Sequence, residues 1–198
     1  GLGCGDIAGN GRMDIVLGHG WLEAPADPER GAWTWHEEFR DAPWGWSASV
    51  PMLVADLDGD GRGEMLTGNA HGYGLWWSQQ TVAAGRRAWT HHPIDPYNAQ
   101  YHDLHWVDLD GDGQPELVTG KRHRAHCGND PGEWDHVGLY YFKWTGEGFA
   151  KQIIDYGPIG AGKGCGIHFA VADLNGDGRL DIVAPGKDGL YVFFNEGL

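Results

Sequence analysis

The chain has 198 residues, enough for one domain with a sizeable buried core. Its 28 acidic and 14 basic residues give a formal net charge of −14, which argues against nucleic acid as a partner because phosphate binding needs a basic face. No apolar run reaches the roughly 18 residues that cross a bilayer, so we expect no membrane insertion. The 34 glycines and 11 tryptophans favour an all-β domain with many tight turns.

An eleven-residue motif recurs four times along the chain, as DIAGNGRMDIV, DLDGDGRGEML, DLDGDGQPELV and DLNGDGRLDIV. The copies start at Asp6, Asp56, Asp108 and Asp173, so their starts lie 50, 52 and 65 residues apart. Such spacing is typical of propeller blades and other arrayed units.

The motif has the chemistry of a calcium loop. Oxygen-bearing side chains fall at positions 1, 3, 5 and 9, position 7 offers a backbone carbonyl, and glycines at positions 4 and 6 permit a sharp turn. The predicted Ca²⁺ ligands are Asp6, Asn10 and Asp14; Asp56, Asp58, Asp60, Arg62 and Glu64; Asp108, Asp110, Asp112, Gln114 and Glu116; and Asp173, Asn175, Asp177, Arg179 and Asp181. The first copy should bind most weakly, because Ala8 replaces an acid.

Two other interpretations of the motif were weighed. An EF-hand loop closes with a carboxylate at position 12, but that position holds Leu17, Thr67, Thr119 and Ala184, and an apolar strand follows at once. Asp-Gly clusters also form ordinary hairpin turns. Four copies in register, each with a closing acid, favour calcium over simple turns.

Apolar segments before and after each loop, and two further recurrent segments, predict four antiparallel strands per unit of about 50 residues, the anatomy of a propeller blade. The sequence therefore predicts one β-propeller domain, with the calcium loop between the first and second strands of each blade. The units span approximately 1–46, 47–98, 99–163 and 164–198.

The D-x-[DN]-G-[DN]-G-x-x-[DE] loop followed by an apolar strand resembles the FG-GAP or VCBS repeat of calcium-binding propellers, as in integrin α-subunits. The resemblance implies a β-propeller with calcium sites and an extracellular or periplasmic location. The fourth unit stops at Asn195-Glu-Gly-Leu without a fourth strand. We therefore expect these four repeats to be part of a larger propeller, the alternative being four blades with an incomplete last one.

A second group of polar residues should lie at the ends of the blades opposite the loops. Asp103 and His168 occupy equivalent positions five residues before their loops, and His105 follows Asp103 on the same side of its strand. His71 and His123 align with each other after the second strands. Imidazoles around a carboxylate suit a second, softer metal such as Zn²⁺, or general bases. The alternative is that these residues cap strands and bind structural water.

A basic segment, Lys121-Arg-His-Arg, should lie at the same end, with Lys121 and Arg122 at the edge of that cleft. Its charges would suit a ligand bearing carboxylates, such as a glycan that contains uronic acid. A solvated loop paired with nearby acids is the alternative. Trp44, Trp46 and Trp134 lie among turn residues and are candidates for stacking on sugar rings.

Two functions remain in competition. The first is an extracellular, calcium-stabilised propeller that binds carbohydrate or a protein partner. The second is a metal-assisted lyase or dehydratase on acidic or oxidised sugars, which the resemblance implies only at the level of the fold. In such an enzyme Lys121 and Arg122 would neutralise the substrate carboxylate, and His105, His123 or Tyr101 would remove the adjacent proton.

Overall fold

The computed structural model describes residues 1–126 and 128–197, and these residues form fifteen β-strands and no helix. The strands are β1 (Leu2–Gly5), β2 (Asp14–Leu17), β3 (Gly20–Glu23), β4 (Thr34–His36), β5 (Leu53–Ala55), β6 (Glu64–Gly68), β7 (Tyr73–Ala83), β8 (Arg86–Ala99), β9 (Tyr101–Val107), β10 (Glu116–Lys121), β11 (Val137–Trp144), β12 (Phe149–Gly157), β13 (Ala170–Ala172), β14 (Asp181–Gly186) and β15 (Gly189–Phe193). The predicted all-β class is confirmed.

The strands form four antiparallel sheets in which each strand pairs with its neighbour in sequence. Blade 1 is β1–β4, blade 2 is β5–β8 and blade 3 is β9–β12, whereas blade 4 has the three strands β13–β15 among the described residues. The four blades are arranged as a β-propeller, as predicted. The described residues contain no helix long and apolar enough to cross a membrane.

Each internal blade is buried on both faces, so its strands carry apolar side chains on both sides. In β10, Leu117 packs towards blade 2 and the next residue, Val118, packs towards blade 4. In β6, Met65 and Leu66 divide in the same way between blades 1 and 3. This division explains why the segments after the loops are continuous apolar runs rather than alternating ones.

Three apolar clusters join successive blades. The first joins blades 1 and 2 around Trp21 and Met65, and the second joins blades 2 and 3 around Trp77 and Tyr140. The third joins blades 3 and 4 and contains Val118, Leu139, Phe169 and Ile182. Cys165 lies in this cluster as a free thiol, whereas Cys4 is a free thiol at the surface and Cys127 lies outside the described residues.

The outer face of blade 4 is apolar and exposed. Leu190 and Val192 occupy the positions in β15 that Leu139 and Tyr141 occupy in β11, where both of the latter pack against blade 4. Leu190 is nevertheless 67% exposed, while Leu139 is fully buried. The leucine at this position of the repeat is thus buried in blade 3 and exposed in blade 4.

This difference predicts how leucine truncation affects stability. Leu139→Ala should lower the free energy of unfolding by about 2–5 kcal/mol, because it opens a cavity between blades 3 and 4. Leu190→Ala, the matched control, should change it by less than about 0.5 kcal/mol. Denaturant titration of both variants measures the two values, and equal losses would contradict the exposure of blade 4.

Candidate metal loops and a histidine-rich face

Each of the four loops joins the first and second strands of its blade and turns through two glycines. The glycines at positions 4 and 6 of all four copies adopt left-handed conformations, with φ between 69° and 88°. Side chains with a Cβ are strained there, so the loop path requires glycine at both positions.

The acid at position 1 organises the turn. Asp56 accepts hydrogen bonds from the backbone N–H groups of Gly59 at 2.8 Å and Gly61 at 3.0 Å. Asp6, Asp108 and Asp173 accept the equivalent pair of bonds in their own loops. One carboxylate therefore holds each loop in the shape that gathers the other oxygens.

The acid at position 9 is buried and closes the loop. Glu64 accepts a hydrogen bond from the backbone N–H of Leu57 at 2.9 Å, and it is fully buried at the start of β6. The equivalent bonds join the position 2 N–H to Asp14, Glu116 and Asp181, all of which are at most 1% exposed. Position 9 thus anchors the loop to the second strand of the blade.

Two loops bring three carboxylates together. One oxygen from each of Asp56, Asp58 and Glu64 lies within 4.8 Å of the others, and the same holds for Asp108, Asp110 and Glu116. Burial raises the pKa of Glu64 to about 7, assisted by the charges of Asp58 and Asp60 and opposed by the Leu57 hydrogen bond. Such crowding of acids is what a bound divalent cation would relieve.

The position 5 acids already contact basic side chains. Asp60 pairs with Arg62, Asp112 with Lys143 at 3.0 Å, and Asp177 with Arg179 at 2.5 Å. The first and fourth loops carry fewer acids, because Ala8 and Asn10 stand in one and Asn175 in the other. Neither loop forms a cluster of three acids in the part of the chain that the structure describes.

At the opposite end of the blades, Asp103 joins blade 3 to blade 4. Its Oδ2 lies 3.5 Å from His105 Nε2 and 3.5 Å from His168 Nδ1, and it accepts a hydrogen bond from the backbone N–H of Phe169 at 2.9 Å. Burial would raise the pKa of Asp103, but the hydrogen bonds from His105 and Phe169 outweigh it and lower the pKa. Asp103 is therefore an ionised group between two blades.

His102, to which the sequence analysis assigned no role, links this group to His71. The ring centroid of His102 lies 6.0 Å from that of His71 and 6.0 Å from that of His168. Burial, assisted by the neighbouring positive charge of Arg122, lowers the pKa of His102 to about 4. His102 is consequently neutral at pH 7 and is a weaker base than an ordinary histidine.

Lys121 and Arg122 are both buried. The expectation that Lys121 stands at the edge of the cleft is wrong, whereas Arg122 lines a cleft despite its burial. Lys121 is fully buried, its Nζ donates to the Arg122 carbonyl at 3.0 Å, and burial lowers its pKa to about 8. Arg122 is 5% exposed and donates to the Ala70 carbonyl at 2.7 Å. Both side chains are held by the backbone near the blade ends.

Arg122 and His123 line a cleft of about 320 Å³ between blades 3 and 4, together with Lys187. Burial lowers the pKa of His123, and the charges of Lys121, Lys187 and Arg124 lower it further. Tyr101 cannot serve as the base in this cleft. Its side chain is fully buried, and its hydroxyl donates a hydrogen bond to Asp95 at 2.8 Å.

The five residues expected as a second metal set do not form one ligand group among the described residues. Asp103, His105 and His168 form one group, whereas His71 contacts Asp130 at 3.0 Å, with His126 beside it. His126 and Asp130 were missed by the sequence analysis. Their only signal was a His and an Asp four residues apart in the long loop after Lys121.

Of the three tryptophans considered for sugar stacking, Trp44 is 2% exposed and packs in the core between blades 1 and 2, so that expectation is wrong. Trp46 is 87% exposed and Trp134 is 63% exposed. Trp134 also lines an open cleft of about 670 Å³ together with the exposed rings of Tyr97 and Tyr156.

A comparison with protein families agrees with this geometry over one segment of the chain. Residues 56–119 match the family model described as FG-GAP-like repeat. This segment carries an FG-GAP-like repeat. It runs from the first acid of the second loop through the third loop into β10, so the resemblance inferred from the motif is confirmed there. No curated protein matches the chain.

The position of Asp103 predicts a structural role. Asp103→Ala should lower the free energy of unfolding by about 1–3 kcal/mol, because the Phe169 N–H loses its buried acceptor. His168→Ala, which removes an exposed partner of the same carboxylate, is the control and should cost less than about 0.5 kcal/mol. Denaturant unfolding measures both, and an unchanged Asp103 variant would contradict the role.

Proposed function

We propose that the protein is a calcium-stabilised β-propeller that acts outside the cytoplasm and binds a glycan bearing carboxylate groups. The observation that carries the glycan assignment is the concentration of Arg122, His123 and Lys187 on one cleft of a protein with a net charge of −14. A local basic cleft in an acidic surface selects anionic groups, and guanidinium pairs well with planar carboxylates.

Calcium binding is supported by the second and third loops. Each has three carboxylates within 4.8 Å of one another, and hard oxygen ligands of this kind suit Ca²⁺. The extracellular assignment is supported by the FG-GAP-like repeat, a module typical of extracellular proteins.

Carbohydrate is favoured over a protein partner by exposed aromatic rings next to the basic cleft. Trp134 lies 5.8 Å from His123, centroid to centroid, and Arg124 packs over it at 5.0 Å. Sugar rings stack on exposed aromatic faces, while their carboxylates would reach the basic side chains. Trp134 and the basic cleft therefore provide the two kinds of contact that an acidic sugar needs.

A second candidate function is a lyase acting on an acidic sugar, favoured by His123, which lines the basic cleft together with Arg122. Arg122 would stabilise the substrate carboxylate, and a neutral histidine would remove the proton on the adjacent carbon. The electron pair would then form a C=C bond as the C–O bond to the next sugar breaks, and the leaving oxygen would take a proton from the histidinium or from water. His123 lines the cleft, whereas His105 already lies 3.2 Å from the Phe169 carbonyl, so His123 is the better base.

We expect calcium to stabilise the fold. A chelator should lower the melting temperature and added Ca²⁺ should restore it, because ions bound only by the folded loops stabilise them. Asp58→Ala should weaken calcium binding at one site about tenfold or more. Asp41→Ala, which removes an exposed acid outside the four loops, is the matched control and should leave the calcium titration unchanged. Equal melting temperatures in chelator and in millimolar Ca²⁺ would contradict the proposal.

We expect the basic cleft to bind uronic-acid oligosaccharides. Calorimetric titration should show binding of at least one member of a uronate panel, and Lys187→Ala should weaken it about tenfold through loss of a charge-assisted contact. Arg40→Ala removes the same charge from blade 1 and is the control. If the parent protein binds no member of the uronate panel, the glycan assignment is overturned. Ultraviolet absorbance from an unsaturated uronate product would establish the lyase instead of the pure binder.

A further inference from the structure

Three side chains from blades 2 and 3 meet at the end of these blades that lies opposite the acidic loops. His71 lies between β6 and β7, whereas His126 and Asp130 lie in the loop between β10 and β11. His71 Nδ1 is 3.0 Å from Asp130 Oδ2, and His126 Nδ1 is 3.1 Å from the same oxygen. One ligand atom from each of the three lies within 4.8 Å of the others.

We propose that His71, His126 and Asp130 bind a divalent transition metal ion, with Zn²⁺ the best fit to this donor set. Zinc is held at about 2.0–2.2 Å by imidazole nitrogen and carboxylate oxygen, so its tetrahedral ligands stand about 3.3 Å apart. The two nitrogen–oxygen distances in the cluster are close to that value. To admit the ion, the ligands need to separate slightly and one of the stacked rings needs to rotate, so that both nitrogen lone pairs point at the metal.

The two rings each bring a nitrogen to the same carboxylate. The His71 and His126 rings are stacked, with centroids 4.5 Å apart and planes 10° apart, and both present Nδ1 to one carboxylate. Without an ion, two neutral rings can each donate an Nδ1–H to Asp130, and a metal would displace these two protons. A metal ion accepts the lone pairs of two neutral rings and satisfies the shared carboxylate at once.

Neighbouring groups fix the three ligands in place, as the surroundings of metal sites commonly do. Glu133 is 1% exposed and its Oε2 accepts the backbone N–H of Asp130 at 3.3 Å. The Asn129 side chain donates to the His126 carbonyl at 2.7 Å, and Asn69 accepts the His71 backbone N–H at 3.1 Å. The loop segments that carry His71, His126 and Asp130 are therefore held in place without a metal ion.

The exposure of the ligands indicates a site with an open position rather than a closed structural site. The side chains of His71 and His126 are 31% and 58% exposed, while that of Asp130 is 13% exposed. Three protein ligands leave room for water or an anionic group at a zinc ion. Arg122, whose NH2 lies 3.3 Å from His71 Nδ1, opposes the ion by its charge, so we expect micromolar rather than nanomolar affinity.

Titration of calcium-saturated protein with Zn²⁺ tests the site, because calcium keeps the acidic loops from competing. The expected result is one zinc site of micromolar affinity, weakened at least tenfold by His126→Ala and by Asp130→Asn. His136→Ala is the matched control, since it removes an exposed histidine of the same loop that lies outside the cluster, and it should bind as the parent does.

Cobalt provides a second measurement that does not depend on any enzymatic activity. Co²⁺ bound by two nitrogens and a carboxylate should give a visible absorption band in the parent and in His136→Ala, and the band should be lost in His126→Ala. Melting temperatures in calcium show that each variant is folded. Absence of zinc binding by the parent, or equal binding by the parent and both cluster variants, would overturn the proposal.

Discussion

The architecture depends on one local arrangement, the turn that a single carboxylate organises around two left-handed glycines. Asp56 and its three equivalents accept the N–H groups of these glycines, and the buried acid at position 9 ties the loop to the second strand. The turn thereby fixes the register between the first two strands of each blade. Because the same turn recurs four times, it also sets four sheets in the same internal order.

Stacking of the sheets then determines where function can reside. Each internal blade buries apolar side chains on both faces, and the two candidate sites lie at the blade ends. The acidic loops occupy one end. At the other end, residues of separate repeats come together, such as Asp103 of blade 3 and His168 of blade 4. The two ends therefore differ in charge: acids crowd together in the loops at one end, whereas His123, Arg122 and Lys187 line a cleft at the other.

The features that recur in every blade could be predicted from the sequence. The loop motif predicted the strand pairs on either side of it, and positions counted from Asp108 and Asp173 correctly placed Asp103 beside His168. Repeats share backbone geometry, so an equivalent position in sequence is an equivalent position in space. The FG-GAP-like match over residues 56–119 covers two of these loops.

Features that occur in only one blade could not be predicted from the repeats. His126 and Asp130 lie in a long insertion of blade 3 whose path depends on its own hydrogen bonds, and no other blade offers a template for it. Trp44 also lies outside the strands, and its burial arises from packing against Phe39 and His91, which local composition does not reveal. Lys121 is buried because its strand is covered on both faces, although its charge suggested exposure.

The central claim is that the loops are cation sites, and diffraction from crystals grown in calcium tests it most directly. Anomalous difference maps collected at a long wavelength locate bound Ca²⁺ without reference to any function. The account predicts peaks between Asp56, Asp58 and Glu64 and between Asp108, Asp110 and Glu116, the two loops in which three carboxylates converge. Well-ordered loops without peaks in millimolar calcium would contradict it.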